Sequence, residues 1–418
     1  MYDGLVSEPS NLGRVRYAAG AIFMQVLLGI LYSWSVFRGP LEQLHGWSRA
    51  QSVMPYRYSL LAFAAGMILA GFWQDRKGPR VVATVGGLLL AAGCLIAGLM
   101  HETVAGLVIG YGLVAGVGVG FAYVTPIAMC VKWFPDRRGM IVGLAVMGFG
   151  LGPLVFGPWL EWMIGKDVQA MNTTIPQTFF VLAGLFLVGV VGAAQLYAVP
   201  PKDWKPVGWN PVAGKKTTVD LSPSQVVSNW RFYVLWALYF VGTSVGLTAI
   251  GEASPLLREA AKTGGFTSAG AGLGVMSVFN GAGRLAWGSV SDRWGRFPAL
   301  MGMCGVSVLT CAFVLRTVDG FGGLLLGLCL VAFSYGGCLA LMPAMTADLF
   351  GPKNVGANYG LLFSAWGVCG FVVPGYFAGI LDAARKQNAL GAGYTEVFGM
   401  LAVLALVGGG LTILLRER

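Results

Sequence analysis

Arg284 lies deep inside a long apolar segment, where an uncompensated charge is costly. Asp292 marks the polar end of that segment, and Arg284 precedes it by eight residues. At about 1.5 Å of helical rise per residue, this spacing places Arg284 roughly 12 Å inside a bilayer core about 30 Å thick. Asn280 lies one turn further in, on the same helix face. Because burying a charge there costs at least about 2.5 kcal/mol, such residues usually face a cavity or a partner.

The chemistry of Arg284 points to a carboxylate ligand. A guanidinium can donate two parallel hydrogen bonds to one carboxylate. No acid lies at comparable depth in the predicted segments, so we expect the counter-charge to come from solution. We expect Asn280 to bind a hydroxyl group or a second oxygen of the same ligand. The alternative is a structural arginine held by a buried acid or by carbonyl groups at a helix end.

Glu252 is a candidate for proton transfer. It follows Arg231 by 21 residues, which is roughly 31 Å along a helix, near the opposite end of the segment. The alternative is a carboxylate that is solvated or paired with a loop residue.

The elements that position these residues are predicted to be membrane-spanning helices. Of 418 residues, 56% are hydrophobic and 11% are charged, whereas soluble domains carry about 25% charged residues. The mean hydropathy is +0.70. We predict an all-α membrane protein with twelve transmembrane helices, since the apolar runs reach the roughly 20 residues that cross a bilayer. The expected spans are 15–38, 51–73, 80–100, 104–131, 138–164, 176–199, 229–257, 268–290, 297–317, 321–349, 355–382 and 394–415.

One long loop divides the chain. Residues 1–199 are predicted to form an N-terminal six-helix half, 200–228 a cytoplasmic linker, and 229–418 a C-terminal six-helix half. Lys and Arg are about twice as frequent on the side that carries both termini, which places the termini in the cytoplasm. This bias accounts for the net charge of +10, so no nucleic-acid partner is expected.

The two halves repeat each other in sequence. Gly71-x3-Asp75-Arg76-x-Gly78 precedes the third span and Gly288-x3-Asp292-Arg293-x-Gly295 precedes the ninth, and matched residues are 217 positions apart. Pro135, Gly139 and Gly143 match Pro352, Gly356 and Gly360 at the same offset. A duplicated six-helix unit predicts two pseudo-symmetric halves, the plan of alternating-access carriers.

These motifs resemble those of the major facilitator superfamily, and the resemblance covers the whole chain. GFWQDRKGPR and GSVSDRWGR are similar to the loop signature seen once in each half of that fold. YSW at 32–34, KWFPDRRG at 132–139, NGAGRLAWGSVSDRWGR at 280–296 and NYG at 358–360 resemble the oxalate/formate antiporter branch. That branch is similar to the proton-coupled monocarboxylate (lactate) transporters, and the chain looks like a bacterial homologue of these.

The resemblance implies a path lined by the first, fourth, seventh and tenth spans. On it we expect hydroxyl donors at Tyr32, Tyr123 and Tyr335, and apolar walls at Leu28, Phe149 and Phe363, although each aromatic could also serve packing alone. Trp366 stands where the oxalate carrier has a lysine, which favours a ligand with one negative charge. The monocarboxylate transporters have an aspartate one turn before the arginine and a lysine in the first span. Here Asn280 and the absence of a first-span lysine leave the route of a proton open.

Four loop charges are predicted to act as gates rather than ligands. Asp75, Arg76, Asp292 and Arg293 lie at the cytoplasmic rim, where charge–helix-end pairs can hold the two halves together. Asp348 is expected to join that network.

These observations predict a secondary transporter of small monocarboxylates such as L-lactate in the cell inner membrane, coupled to protons and acting as a monomer. Exchange of carboxylate anions of the oxalate/formate type is the nearest alternative, and a receptor without transport is an alternative of another class. Sugar and drug carriers fit less well, because the spans lack clustered Asn, Gln and Glu. Nucleophile–base sets and nucleotide motifs are not apparent, and two His and seven dispersed Cys predict neither metal nor cofactor.

Overall fold

The computed structural model describes residues 13–165, 167–201, 204–206, 220–264, 269–315, 321–387 and 389–415. Every regular element among them is helical. The helices of the first six spans are α1 (Val15–Leu28), α2 (Trp34–His45), α3 (Arg49–Lys77), α4 (Pro79–Leu99), α5 (Val104–Leu107), α6 (Gly116–Trp133), α7 (Arg138–Ile164) and α8 (Val168–Ala194). After them come α9 (Pro223–Val227), α10 (Trp230–Gly264), α11 (Ala269–Trp294), α12 (Arg296–Leu309), α13 (Phe321–Phe350), α14 (Val355–Lys386) and α15 (Leu390–Leu414).

Three short segments interrupt these helices without ending a span. A 3₁₀ segment, Gly29–Ser33, joins α1 to α2, so the first span continues to His45. Two π segments, Val108–Ala115 and Thr310–Val314, extend α5 into α6 and lengthen α12. In the described residues, eleven helices are long and apolar enough to cross a membrane. The remaining predicted span, the eighth (268–290), is the continuous helix α11, whose hydropathy is lowered by Arg284, Asn280 and the charges at its end.

The sixth span begins earlier than its hydropathy suggests. It was expected at 176–199, but α8 runs from Val168 to Ala194 with Pro176 inside it. The Asp167 side chain accepts a hydrogen bond from the backbone N–H of Gln169 at 3.0 Å, which caps the helix upstream of the proline. The chain then leaves helical geometry before Pro200, as residues preceding proline do.

Glycines at equivalent positions turn the chain between spans in each half. Gly78 (φ 82°) separates α3 from α4, and Gly295 (φ 97°) separates α11 from α12. Both lie in the left-handed region that side-chain-bearing residues avoid. Their separation of 217 residues extends the sequence repeat to the backbone.

Two helix pairs hold the first six spans against the last six. Helix α3 packs along α14, and α7 packs along α11. Glycines allow the close approach, because a Cβ on Gly143 of α7 would overlap the carbonyl oxygen of Arg284. A Cβ placed on its counterpart, Gly360 of α14, would lie 2.6 Å from the carbonyl oxygen of Met67. Small residues that bring helix backbones together are characteristic of membrane bundles.

Candidate functional site

Arg284 is completely buried at the contact between α11 and α7. Its Nη1 donates to the carbonyl oxygen of Val146 at 2.7 Å, and its Nε donates to Asn280 Oδ1 at 3.1 Å. The Nη2 atom is buried without a hydrogen-bond partner. Of the ion pairs found in the described part of the chain, none includes Arg284. The Nη2 group is therefore left for another acceptor, and the hydroxyls of Tyr32 and Tyr123 lie beside the guanidinium.

Asn280 holds the guanidinium in place. Its Oδ1 accepts from Arg284, and its Nδ2 donates to the carbonyl oxygen of Ala332 on α13 at 3.0 Å. Both ends of the amide are thus engaged by the protein. Asn280 is therefore a positioning residue for Arg284. Its expected contact with a ligand hydroxyl stays a prediction.

Three tyrosines surround the guanidinium. Tyr32 and Tyr123 lie within electrostatic range of Arg284, and Tyr32 also lies beside Tyr335. Tyr335 is buried, and its hydroxyl oxygen accepts a hydrogen bond from Trp366 Nε1 at 2.9 Å. The predicted hydroxyl donors therefore gather around one charge, although they come from the first, fourth and tenth spans.

Aromatic rings form the remaining walls. The centroid of the Phe149 ring lies 5.9 Å from the Arg284 guanidinium carbon. The same ring makes edge contacts with Tyr32 and Tyr123. Phe363 stacks on Trp366 with ring centroids 4.9 Å apart. Burial in such a low-dielectric ring strengthens any charge pair formed with Arg284.

Leu28 is buried among the first six spans, and its predicted place in the wall around Arg284 stays a prediction. It borders a cavity of about 10 Å³ inside the first six spans, together with Leu90, Tyr111 and Phe186. An α-helix would place Leu28 and Tyr32 about 40° apart, but three residues per turn in a 3₁₀ segment separate them by roughly 120°. The 3₁₀ segment that begins at Gly29 therefore places Tyr32, which lies near Arg284, on a different helix face from Leu28.

Glu252 belongs to α10, but its side chain lies outside the described residues. Its predicted role in proton transfer stays a prediction. Within the described residues, no group of three His, Cys, Asp or Glu is arranged to hold a metal ion.

Asp75 and Asp292 make equivalent bonds between the halves, at the end of the bundle that we call the latch end. Asp292 accepts the backbone N–H groups of Gly139 at 3.0 Å and Met140 at 2.7 Å, in the first turn of α7. Asp75 accepts the N–H of Ala357 in the first turn of α14 at 2.8 Å. Each acid thus satisfies free donors at a helix start, where the helix dipole favours a negative charge.

The basic partners at the latch end differ from the predicted ones. Arg76 and Arg293 are exposed and form no ion pair within the described residues. They point outward because each follows its acid by one residue on the helix, about 100° away. Instead Lys132 pairs with Asp75 at 3.3 Å, and Arg138 and Arg296 both pair with Asp348 at 2.8 Å. Arg296 also pairs with Asp292 at 2.7 Å.

Residues that were not predicted complete the aromatic ring. Phe63 contacts Tyr123, Phe363 and Trp366 with centroids 5.1, 5.1 and 5.4 Å apart. Tyr239 and Tyr359 approach each other through their hydroxyls at 3.4 Å and flank Phe363. Trp366, which the resemblance had already marked, lies 217 residues after Phe149 and is its counterpart in the repeat. No comparable signal marks Tyr239.

Curated relatives agree with the predicted branch. The chain is 26% identical over 398 residues to the oxalate:formate antiporter of Oxalobacter formigenes, covering 93% of this chain and 88% of that protein. It is 28% identical to the uncharacterized MFS-type transporter YhjX of Escherichia coli, covering 86% and 87%. It is 26% identical to apicoplast pyruvate carrier 1 of Toxoplasma gondii, covering 72% of this chain and 64% of that protein. The resemblance to the oxalate/formate antiporter branch is confirmed.

Solved structures agree with the helix arrangement. The fucose transporter FucP in its outward conformation matches with a TM-score of 0.66 at 14% identity, covering 94% of this chain and 99% of that one. The human organic anion transporter MFSD10 matches with a TM-score of 0.69 at 15% identity, covering 96% and 99%. These likenesses confirm the predicted fold. The model of the Major Facilitator Superfamily matches residues 17–374, so this chain belongs to that superfamily of membrane transporters and is not an enzyme.

Proposed function

We propose that this protein transports small monocarboxylates such as L-lactate across the inner membrane by alternating access, with Arg284 binding the carboxylate. One observation carries the proposal: a fully buried guanidinium has an Nη2 group without a hydrogen-bond partner, and no ion pair found in the described residues includes it. A charge inside a membrane protein requires a partner, and a carboxylate from solution supplies one. The relatives named for oxalate, formate and pyruvate support a small organic anion.

The surroundings of Arg284 favour a short ligand with one charge. The described side chains that face the guanidinium are tyrosine hydroxyls and aromatic rings. A second carboxylate would lose its hydration against those rings without a second cation to bind it. We infer that the hydroxyls of Tyr123 and Tyr335 bind polar substituents next to the carboxylate.

Proton symport is the coupling that we propose first. Uptake of an anion against an inside-negative potential requires a compensating cation, and a proton makes the transported unit neutral. In this arrangement the latch end and both termini face the cytoplasm, so the bonds at the latch end close the carrier on its inner side. The monomer is the transporting unit. Glu252 is the proposed proton acceptor.

Anion exchange is the second candidate, and the isolation of Arg284 favours it. Without a ligand, the guanidinium would have to cross between states with no counter-charge, which opposes return of the empty carrier. The relative from Oxalobacter is named as an antiporter. Exchange would need no proton acceptor beside the site.

Replacement of Arg284 tests the site. Arg284→Gln in proteoliposomes is expected to reduce lactate uptake at least about a hundredfold, because an uncharged amide cannot replace a buried charge-assisted pair worth roughly 3 kcal/mol or more. Arg80→Gln, which changes an exposed arginine in the first turn of α4, is the control and should retain uptake. Normal lactate affinity in the Arg284 variant would reject the assignment.

An imposed pH gradient separates the two couplings. Symport predicts lactate accumulation that follows an inward proton gradient and collapses with a protonophore. Exchange predicts uptake that needs internal carboxylate and ignores the protonophore. Accumulation of lactate above its external concentration, in liposomes that have neither an ion gradient nor internal anion, would contradict both.

A further inference from the structure

The internal repeat assigns a counterpart to Arg284 in the other half of the molecule. Gly143 of α7 packs on the Arg284 carbonyl, and a Cβ placed on this glycine would lie 3.2 Å from Leu285 Cα. Gly360 of α14 packs on the Met67 carbonyl and lies 3.1 Å from Ile68 Cα by the same measure. The 217-residue offset relates the members of each pair. Met67 on α3 therefore occupies the position of Arg284 on α11.

The chemistry at the two positions is opposite. Arg284 is accompanied by Asn280 one turn before it, whereas Met67 is accompanied by Phe63. All four side chains are buried. At equivalent positions, one half therefore carries a cation and an amide, whereas the other half carries a thioether and a phenyl ring.

The walls repeat in the same way. Phe149 near Arg284 corresponds to Trp366, which lies 5.4 Å from Phe63 between ring centroids. Phe363, 5.1 Å from Phe63, corresponds to Val146, whose carbonyl oxygen binds Arg284. The Met67 side has the backbone arrangement of a cation site but is lined by apolar side chains.

We propose that Met67 determines the charge of the accepted substrate. Arg284 binds one carboxylate, and Met67 with Phe63 receives the apolar end of the same molecule, so that dicarboxylates are excluded by the cost of burying a second anion against carbon and sulfur. The substrate class is a short monocarboxylate with an uncharged tail. This inference rests on the proposed carboxylate site at Arg284.

A cation at position 67 tests the proposal. Uptake of labelled lactate by Met67→Lys is measured with malonate as competitor, and Met67→Leu serves as the control of equal size. Malonate is expected to inhibit the lysine variant on the order of tenfold more strongly than the leucine variant. Equal inhibition in two folded, lactate-binding variants would overturn the proposal.

Met67→Gln is made in parallel, because a buried lysine can prevent folding. It adds hydrogen-bond donors without a charge and should raise malonate inhibition relative to lactate by about threefold. An unchanged ratio in this variant would overturn the proposal even where the lysine variant does not fold.

A charge exchange separates this inference from the proposed function. In the double variant Met67→Arg with Arg284→Met, the repeat predicts that lactate binding returns, compared with Arg284→Met alone. Full activity of Arg284→Met would reject the proposed function itself. Loss of activity in Arg284→Met without recovery in the double variant would reject only the equivalence of the two positions.

Discussion

At the residue scale, one hydrogen bond decides what the Tyr335 hydroxyl can offer. Trp366 Nε1 donates to that oxygen at 2.9 Å, while the Trp366 ring stacks on Phe363. Since the oxygen already accepts this bond, the hydroxyl hydrogen is directed to another acceptor. Tyr335 lies beside Tyr32 and within electrostatic range of Arg284, so the Tyr32 hydroxyl is an acceptor available to that hydrogen. We expect a bound carboxylate to take the place of that acceptor.

Trp366→Phe keeps the aromatic wall and removes this bond. The KM for lactate is expected to rise about three- to tenfold, equivalent to roughly 0.5–1.5 kcal/mol for one hydrogen bond. Tyr335→Phe should give a similar increase, measured by initial rates of uptake. The double variant should be no worse than Tyr335→Phe alone, because both act through one hydroxyl. Strictly additive effects would contradict the positioning role.

At the element scale, the close approach of α7 to α11 depends on glycines, which lack the methyl group that would separate the two helices. Gly143 meets the Arg284 backbone, and Gly150 leaves room for its side chain, since a Cβ there would lie 3.2 Å from Arg284 Nε. The position of the guanidinium is therefore fixed by backbone contact of two helices from different halves.

Gly143→Ala should separate these helices. The added methyl overlaps the Arg284 carbonyl, and overpacking of this kind costs about 1–3 kcal/mol. We expect the thermal midpoint of the purified protein to fall by about a few degrees and lactate affinity to weaken. Gly157→Ala on the same helix is the control, because its Cβ meets nothing within 4 Å. Equal midpoints for the two variants would show that the contact is not limiting.

Hydropathy located the spans but not the geometry within them. The first span was expected to end at 38, yet it continues to His45, and its 3₁₀ segment separates Leu28 from Tyr32. A polar cap at Asp167 fixed the start of α8 where hydropathy favoured Pro176. The expectation that Arg284 lies far from the polar end at Asp292 used helical rise alone, and the Arg284 side chain is completely buried in the protein. Facing directions depend on local helix type and packing, which composition does not encode.

At the scale of the whole molecule, the repeat joins the two halves through matched acids. Asp75 caps α14 and Asp292 caps α7, each binding backbone N–H groups of the other half. Asp348 adds one ion pair between halves through Arg138. The closed latch end is therefore stabilised by charge-assisted hydrogen bonds that must all break when the halves separate there.

Neutralising both acids should open the latch end. Each bond to a charged group contributes about 1.5–3 kcal/mol, so Asp75→Asn with Asp292→Asn should shift the ratio of closed to open molecules at least about tenfold. Spin labels at Arg76→Cys and Arg293→Cys report the opening, because these exposed side chains lie on opposite halves and form no ion pair in the described structure. The pulsed-EPR distance distribution should move to longer distances. Asp136→Asn is the control, since Asp136 pairs with Arg14 within one half, at 2.7 Å. The same distances in the double variant and the control would show that the bonds from Asp75 and Asp292 to backbone N–H groups do not keep the latch end closed. The close packing of α3 on α14 and of α7 on α11 would then be the remaining explanation.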